Sequence, residues 1–298
     1  MNNSTIKKII KNKEETKNLA FIIGNGINLN FLSNSISWGT LVKDLYKEHL
    51  GANLSEEDFK GVSLTELYDI LEISQRDSYK KDIAKKFSSI KSADNDFSDF
   101  VKNLHKLDVP IITTNFDTII SQLIKCEKRI LKGSFPFSRH YPWNVYYSDK
   151  ELDSPINGFG IWHINGIHEY SDSISLGLCD YMRNVEKTRK MLHEGDAKEY
   201  FLGKHQFNWN GSNTWLHILF NKNLFIFGLN LGENEVFLRW LLLQRTKYSQ
   251  LRGLELKGWF VDKDVDDGKK RFLEMLNFDV IKIKDFGELY NVFNEELN

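Results

Sequence analysis

Leu19-Ala20-Phe21-Ile22-Ile23-Gly24-Asn25-Gly26-Ile27-Asn28 is the stretch that decides the fold. Five apolar residues run into a glycine-flanked turn, and a run of that length predicts a strand buried on both faces, as in a parallel sheet. Two glycines one residue apart allow a tight turn and a close approach of backbone to ligand. Asn28 stands where a helix N-cap could begin, and amides exposed near a helix start suit a pyrophosphate. Leu29 occupies the third glycine position of G-x-G-x-x-G. The turn therefore reads either as nucleotide-binding or as an ordinary strand-to-helix turn.

Further strands are predicted at Asp108–Thr113, Gly160–His163, Asn223–Phe227, Leu256–Val261 and Asp279–Ile283, with Ser173–Leu176 as another short one. Helical spacing fills the intervals. Leu41, Val42, Leu45 and Tyr46 share one face, as do Leu64, Leu67, Ile70 and Leu71. Val236 to Gln244 is apolar nearly all round, which predicts deep burial. The alternation predicts a single α/β domain: a Rossmann-like open, mostly parallel sheet with helices on both faces and a helical insertion at about 55–104. Asp44 lies twenty residues after Gly24 but inside a predicted helix, unlike the ribose acid of a standard dehydrogenase. Three of the four prolines fall in 133–160, an irregular aromatic stretch expected to form a lid or to pack on the insertion.

Ligands in such sheets collect beyond the strand carboxyl ends. Thr114, Asn115 and Asp117 are placed there, with helix capping as the alternative for Asn115 and Asp117. His163 sits near another strand end, as a site residue or a satisfied core histidine. The glycine turn Gly228-Leu229-Asn230-Leu231-Gly232 follows a third strand.

Bulk properties narrow the class. A net charge of −1 over 298 residues gives no electrostatic case for nucleic acid or an anionic membrane. Lys80, Lys81, Lys85 and Lys86 read as a solvated helix face. Cys126 and Cys179 make neither a disulfide framework nor a zinc motif, so no metal is expected. The polar start lacks a signal-peptide core, and no apolar run reaches the ~18 residues of a membrane span. The expectation is a cytoplasmic protein.

The ordered set of Gly24-Asn25-Gly26-Ile27-Asn28, Ser37-Trp38, Thr113-Thr114-Asn115-Phe116-Asp117, Trp162-His163-Ile164-Asn165-Gly166 and Gly228-Leu229-Asn230-Leu231 resembles the sirtuin-like (SIR2) superfamily, particularly its bacterial branch associated with phage defence. Ser173-Ile174-Ser175-Leu176-Gly177 followed by Tyr181 is similar to the same branch, and the likeness spans about residues 19–262. Sirtuins proper have His-Gly without the intervening pair, and their four-cysteine zinc ribbon is represented here by Cys179 alone.

The resemblance implies cleavage of the nicotinamide–ribose bond of NAD. It assigns Asn115 to a ribose hydroxyl or the attacking water, Asp117 to the carboxamide or the developing cation, and His163 to general base. Gly24, Asn25, Gly26, Asn28, Thr114 and Gly228 would hold the nucleotide, with Asn230 near the adenosine ribose. Without a zinc ribbon or an acyl-lysine groove, transfer of ADP-ribose to water is the leading expectation: an NAD glycohydrolase that depletes NAD in abortive infection. An ADP-ribosyltransferase or deacylase using the same site, and a non-catalytic NAD or ADP-ribose sensor, are the alternatives. Regulation is expected from a homo-oligomer or a separately encoded activating partner such as an ATPase. Aromatics of Phe135–Tyr147 and the tyrosine and phenylalanine side chains near the C-terminus are candidate contact anchors.

Overall fold

A computed structural model of the chain describes residues 2–55, 57–75, 78–91, 95–193, 201–202 and 208–297. Positions 56, 76–77 and 92–94 of the expected insertion lie outside the described residues. The first half runs α1 (Asn2–Lys11), α2 (Lys13–Lys17), β1 (Leu19–Ile23), α3 (Gly26–Phe31), α4 (Trp38–Leu50), α5 (Leu64–Gln75), α6 (Lys80–Ser88), α7 (Asn95–Lys106), β2 (Ile111–Thr113), α8 (Ile119–Leu123), β3 (Glu127–Ile130) and β4 (Val145–Ser148). It continues with β5 (Ile161–His163), α9 (Leu178–His193), α10 (Trp215–Asn221), β6 (Asn223–Phe227), α11 (Val236–Leu251), β7 (Gly258–Asp262), α12 (Asp267–Met275), β8 (Phe278–Lys282) and α13 (Phe286–Leu297).

The strands form one sheet in the order β3-β4-β5-β2-β1-β6-β7-β8. From β5 to β8 all pairings are parallel, whereas β4 runs antiparallel to both β3 and β5. The fold is thus α/β, with a mostly parallel, Rossmann-like open sheet. All five residues of β1 are buried, as its apolar run requires. Alternation divides them between the faces. Phe21 meets Phe225, Phe227 and Phe293 edge-on at 5.7, 6.0 and 5.8 Å on one side. Ala20 and Ile22 join Trp215, Leu219, Phe237 and Leu241 on the other. The interval between β1 and β2 is helical, and its last helix, α7, lies against the sheet through Phe100, which packs on Phe227 and Phe293.

Several expectations are corrected. The 133–160 stretch contains strand β4, and Phe135, Trp143, Tyr146 and Tyr147 are buried core side chains; Phe137 alone among these aromatics is exposed. Ser173–Leu176 is not a strand: a 3-10 turn over Ser171–Ser173 leads into a buried strap whose Ser175 N–H donates to Asn165 O (2.9 Å). Gly166 permits this crossing, since its φ is +95° and a Cβ there would lie 2.1 Å from Ser173 O. Ile70 is exposed because it points off the α5 stripe, and Leu243 interrupts the burial of α11. Lys80 is drawn inward by a 2.7 Å ion pair with buried Asp180. Tyr290 and Phe293 belong to the core, where they meet Phe100.

Candidate functional site

β1 lies between β2 and β6, so the chain leaves it in opposite directions along the sheet. Such a switch point opens a crevice beyond the strand carboxyl ends. Three turns converge on it. Gly24 N–H donates to Phe227 O (3.2 Å), Gly26 N–H to Gly228 O (2.7 Å) and Thr114 N–H to Ile23 O (3.1 Å). The glycines are required by this mutual approach: a Cβ on Gly24 would stand 2.5 Å from Gly228 O, and one on Gly26 2.8 Å from it. Gly26 N–H is therefore engaged by protein, and the first turn does not offer it to a pyrophosphate.

The crevice holds two chambers whose walls share four residues. An outer one of about 520 Å³ is lined by Gly26, Gly228, Asn230, Asp262 and Asp264 among others. A small inner one of about 80 Å³ is lined by Asn115, Asn165, Leu176 and Tyr181. Asn25, Trp38, Thr114 and Glu235 border both. The outer volume falls in the range of small-molecule sites, roughly 300–1,000 Å³.

Asn25, Gly26, Thr114, Asn115, Gly228 and Asn230 line these chambers, whereas Gly24, Asn28, Asp117 and His163 lie outside their linings. Asn28 is not an N-cap; it is buried within α3, and its Nδ2 donates to Asp117 Oδ2 (2.8 Å). Asn25 occupies the cap position in a helical conformation, so its side chain makes no cap bond, and Nδ2 instead donates to Ile36 O (2.8 Å). Asp117 Oδ1 accepts from Ile119 N–H (3.1 Å), the helix-holding role weighed for it as an alternative. Burial outweighs these bonds and raises the Asp117 carboxyl to about 6. Asn230 is exposed, with Oδ1 accepting from the Lys269 ammonium.

Asn115 is held by its backbone. Its N–H donates to Thr113 Oγ1 (3.1 Å) and its carbonyl lies 2.8 Å from His163 Nδ1. A carbonyl can only accept, so Nδ1 carries the proton and the neutral ring keeps its lone pair on Nε2. Burial lowers His163 to about 4, which keeps it neutral near pH 7. Both side-chain amide atoms of Asn115 are buried without a hydrogen-bond partner, as are His163 Nε2 and Trp38 Nε1. Buried polar groups are normally paired, so the unpaired Asn115 amide and Trp38 indole N–H in the wall of the inner chamber mark a place for a polar ligand.

No family model matches this chain. No curated protein matches it significantly. The sirtuin-like likeness stands on the chain's own motifs.

Sequence reasoning missed Glu235, the residue just before α11. Its carboxyl caps nothing, and burial raises it to about 7. The residue as a whole is half-buried because part of it remains at the surface. The signal was its place at the end of the turn after β6, matching Asn115 beyond β2. Tyr181 faces the same chamber, held protonated well above its ordinary range by burial. Asp262, at the carboxyl end of β7, is raised by burial. Among the described residues no cluster of three or more His, Cys, Asp or Glu could hold a metal, and no helix is long and apolar enough to cross a membrane.

Proposed function

We propose that the protein is an NAD glycohydrolase, releasing nicotinamide and ADP-ribose from NAD. The observation that carries this reading is the buried, unbonded amide of Asn115 in the wall of an inner chamber that shares four lining residues with a cleft of about 520 Å³ at the sheet switch point. Nicotinamide enters the inner chamber, and its ribose and the adenosine half lie along the outer one, so that the nicotinamide–ribose bond falls where the two chambers share their walls. The Asn115 amide binds a ribose hydroxyl or the water without burying a charge. His163 and Thr113 keep that amide aimed. Asp262 and Asp264 border the outer chamber, where carboxylates accept ribose hydroxyls and repel a 2′-phosphate, so NAD is the substrate in preference to NADP.

A specific observation favours a second reading, a non-catalytic NAD or ADP-ribose sensor: the histidine expected as general base does not line either chamber. The experiment is purified protein with NAD or NADP, following nicotinamide release chromatographically and binding calorimetrically. Release from NAD exceeding that from NADP is expected. Tight binding with no release would select the sensor.

A role in depleting NAD during phage infection, in the cytoplasm, follows from the resemblance. So does activation by self-assembly or by a separate partner, since an ungated NADase would deplete its own cell. Specific activity that rises with protein concentration, alongside light-scattering mass, is the expected sign of self-assembly.

A further inference from the structure

We infer that Glu235 is the general base of the hydrolysis, the carboxylate that takes the proton from the attacking water; this inference rests on the proposed NAD cleavage. Glu235 borders both chambers, at the junction where the scissile bond of a nucleotide spanning them would lie. Among the described residues it is the only carboxylate lining the inner chamber, whose one other ionisable residue is Tyr181. No hydrogen bond or ion pair among the described residues ties its carboxyl, desolvation alone shifts it, and although the residue stands at the N-cap position of α11, its side chain does not cap that helix. The local use that the cap position offers its carboxyl is left unfilled, at a residue that lines both chambers.

The other bases considered are engaged elsewhere. Asp117 is bonded to Asn28 and to Ile119 N–H, outside the chamber walls. His163 holds the Asn115 carbonyl through Nδ1, and its free Nε2 is buried outside both linings. Asp262 and Asp264 face only the outer chamber.

The chemistry balances without a co-reactant beyond water. As the bond between the ribose anomeric carbon and the pyridinium nitrogen breaks, its electron pair returns to the ring and neutral nicotinamide leaves. The water oxygen bonds to the anomeric carbon while the Glu235 carboxylate takes a water proton, which it later releases to solvent. Burial brings the carboxyl close to neutral pH, where a general base works best. The pyridinium charge of the incoming substrate favours its ionised form. Asn115, on the opposite turn, would position the ribose that receives the water.

The test compares wild type, Glu235→Gln and Glu235→Asp for nicotinamide release from NAD, ADP-ribose affinity and thermal stability. The amide variant is expected to lose 10²–10⁴-fold in release, the span typical of acid–base help, with affinity unchanged and the melting temperature not lowered. Azide, a nucleophile that needs no deprotonation, is expected to restore release in Glu235→Gln and to yield ADP-ribosyl azide. The shorter acid should recover part of the loss. Wild-type release by Glu235→Gln, loss of ADP-ribose binding in proportion to activity, or failure of azide to rescue would each overturn the assignment while leaving NAD cleavage by wild type intact. Wild type that binds NAD without cleaving it would instead bring down both this assignment and the proposed activity.

Discussion

The turns after β2 and β6 flank β1 on opposite sides; the first brings Thr114 and Asn115 to the inner chamber, the second Glu235. After β2 the surroundings are heavily bonded: Thr113 Oγ1 donates to Ile23 O (3.0 Å), Asp117 holds Asn28 and α8, and His163 grips the Asn115 carbonyl. After β6 the backbone is fixed at Gly228, and Asn234 Oδ1 accepts from Leu64 N–H (3.0 Å), yet the Glu235 carboxyl has no such ties. One group is aimed by a rigid frame, whereas the other is tuned by its surroundings alone. Orientation and proton affinity are thus assigned to different turns, so each can be altered without disturbing the other.

The strongest way to break this contrast is Asn115→Ala. Removing one preorganised donor typically lowers rate by 10²–10³-fold, and that loss is expected here in nicotinamide release. Because its amide bonds no protein group, the melting temperature should hardly change. Undiminished release would remove Asn115 from the chemistry.

Next comes the frame beneath it. His163 is depressed to about 4 from its ordinary 6.5, so its contribution to stability is complete above about pH 6.5 and is lost as pH falls through 4. At about 1.4 kcal/mol per pKa unit, wild type should lose ~3 kcal/mol more than His163→Asn between pH 7.5 and 4. Urea unfolding of both proteins at the two pH values measures this, the other titrations being common to both. Equal losses would mean that the ring reaches solvent.

The smallest effect separates the turns by stability. Asp117→Ala leaves Asn28 Nδ2 and Ile119 N–H without an acceptor, an expected loss of about 1–3 kcal/mol; Asp117→Asn, which keeps one acceptor, should recover part. Glu235→Gln should cause no loss and, by removing a carboxyl that burial raises to about 7, should raise stability at neutral pH. Similar losses at Asp117 and Glu235 in thermal melts would erase the distinction between frame and free group.

How far the sequence could be read follows the same division. β1, β2 and β6 were legible because strands buried on both faces must be continuously apolar, and the polar turns beyond them announced the crevice. β3 was not legible: Glu127-Lys128-Arg129-Ile130 is an edge strand with both outer residues exposed, so no core imposes a pattern on it. Ser173–Leu176 misled because its serines alternate with apolar residues as in a half-exposed strand, whereas all four are buried and the serine hydroxyls are taken up by Tyr170 O and Asn184 Nδ2. At the site, residue types were readable but directions were not. Asn28, Asp117 and Glu235 are all polar residues at strand-to-helix turns, and only the path of each side chain decides which meets a ligand.

The interlocked glycine turns carry an implication for heredity. Gly24, Gly26 and Gly228 share one constraint, the passage of one turn over the other, with Gly228 also held at a φ of +66°. A methyl group at Gly24 and another at Gly26 would press on the same carbonyl, so once the turns have parted for the first, the second meets less resistance. Their effects should therefore fall short of additivity, as expected for neighbours coupled through a shared backbone shift. Genetic drift at these positions is epistatic: the first change is the one selection resists, and it alters the tolerance of the sites that remain.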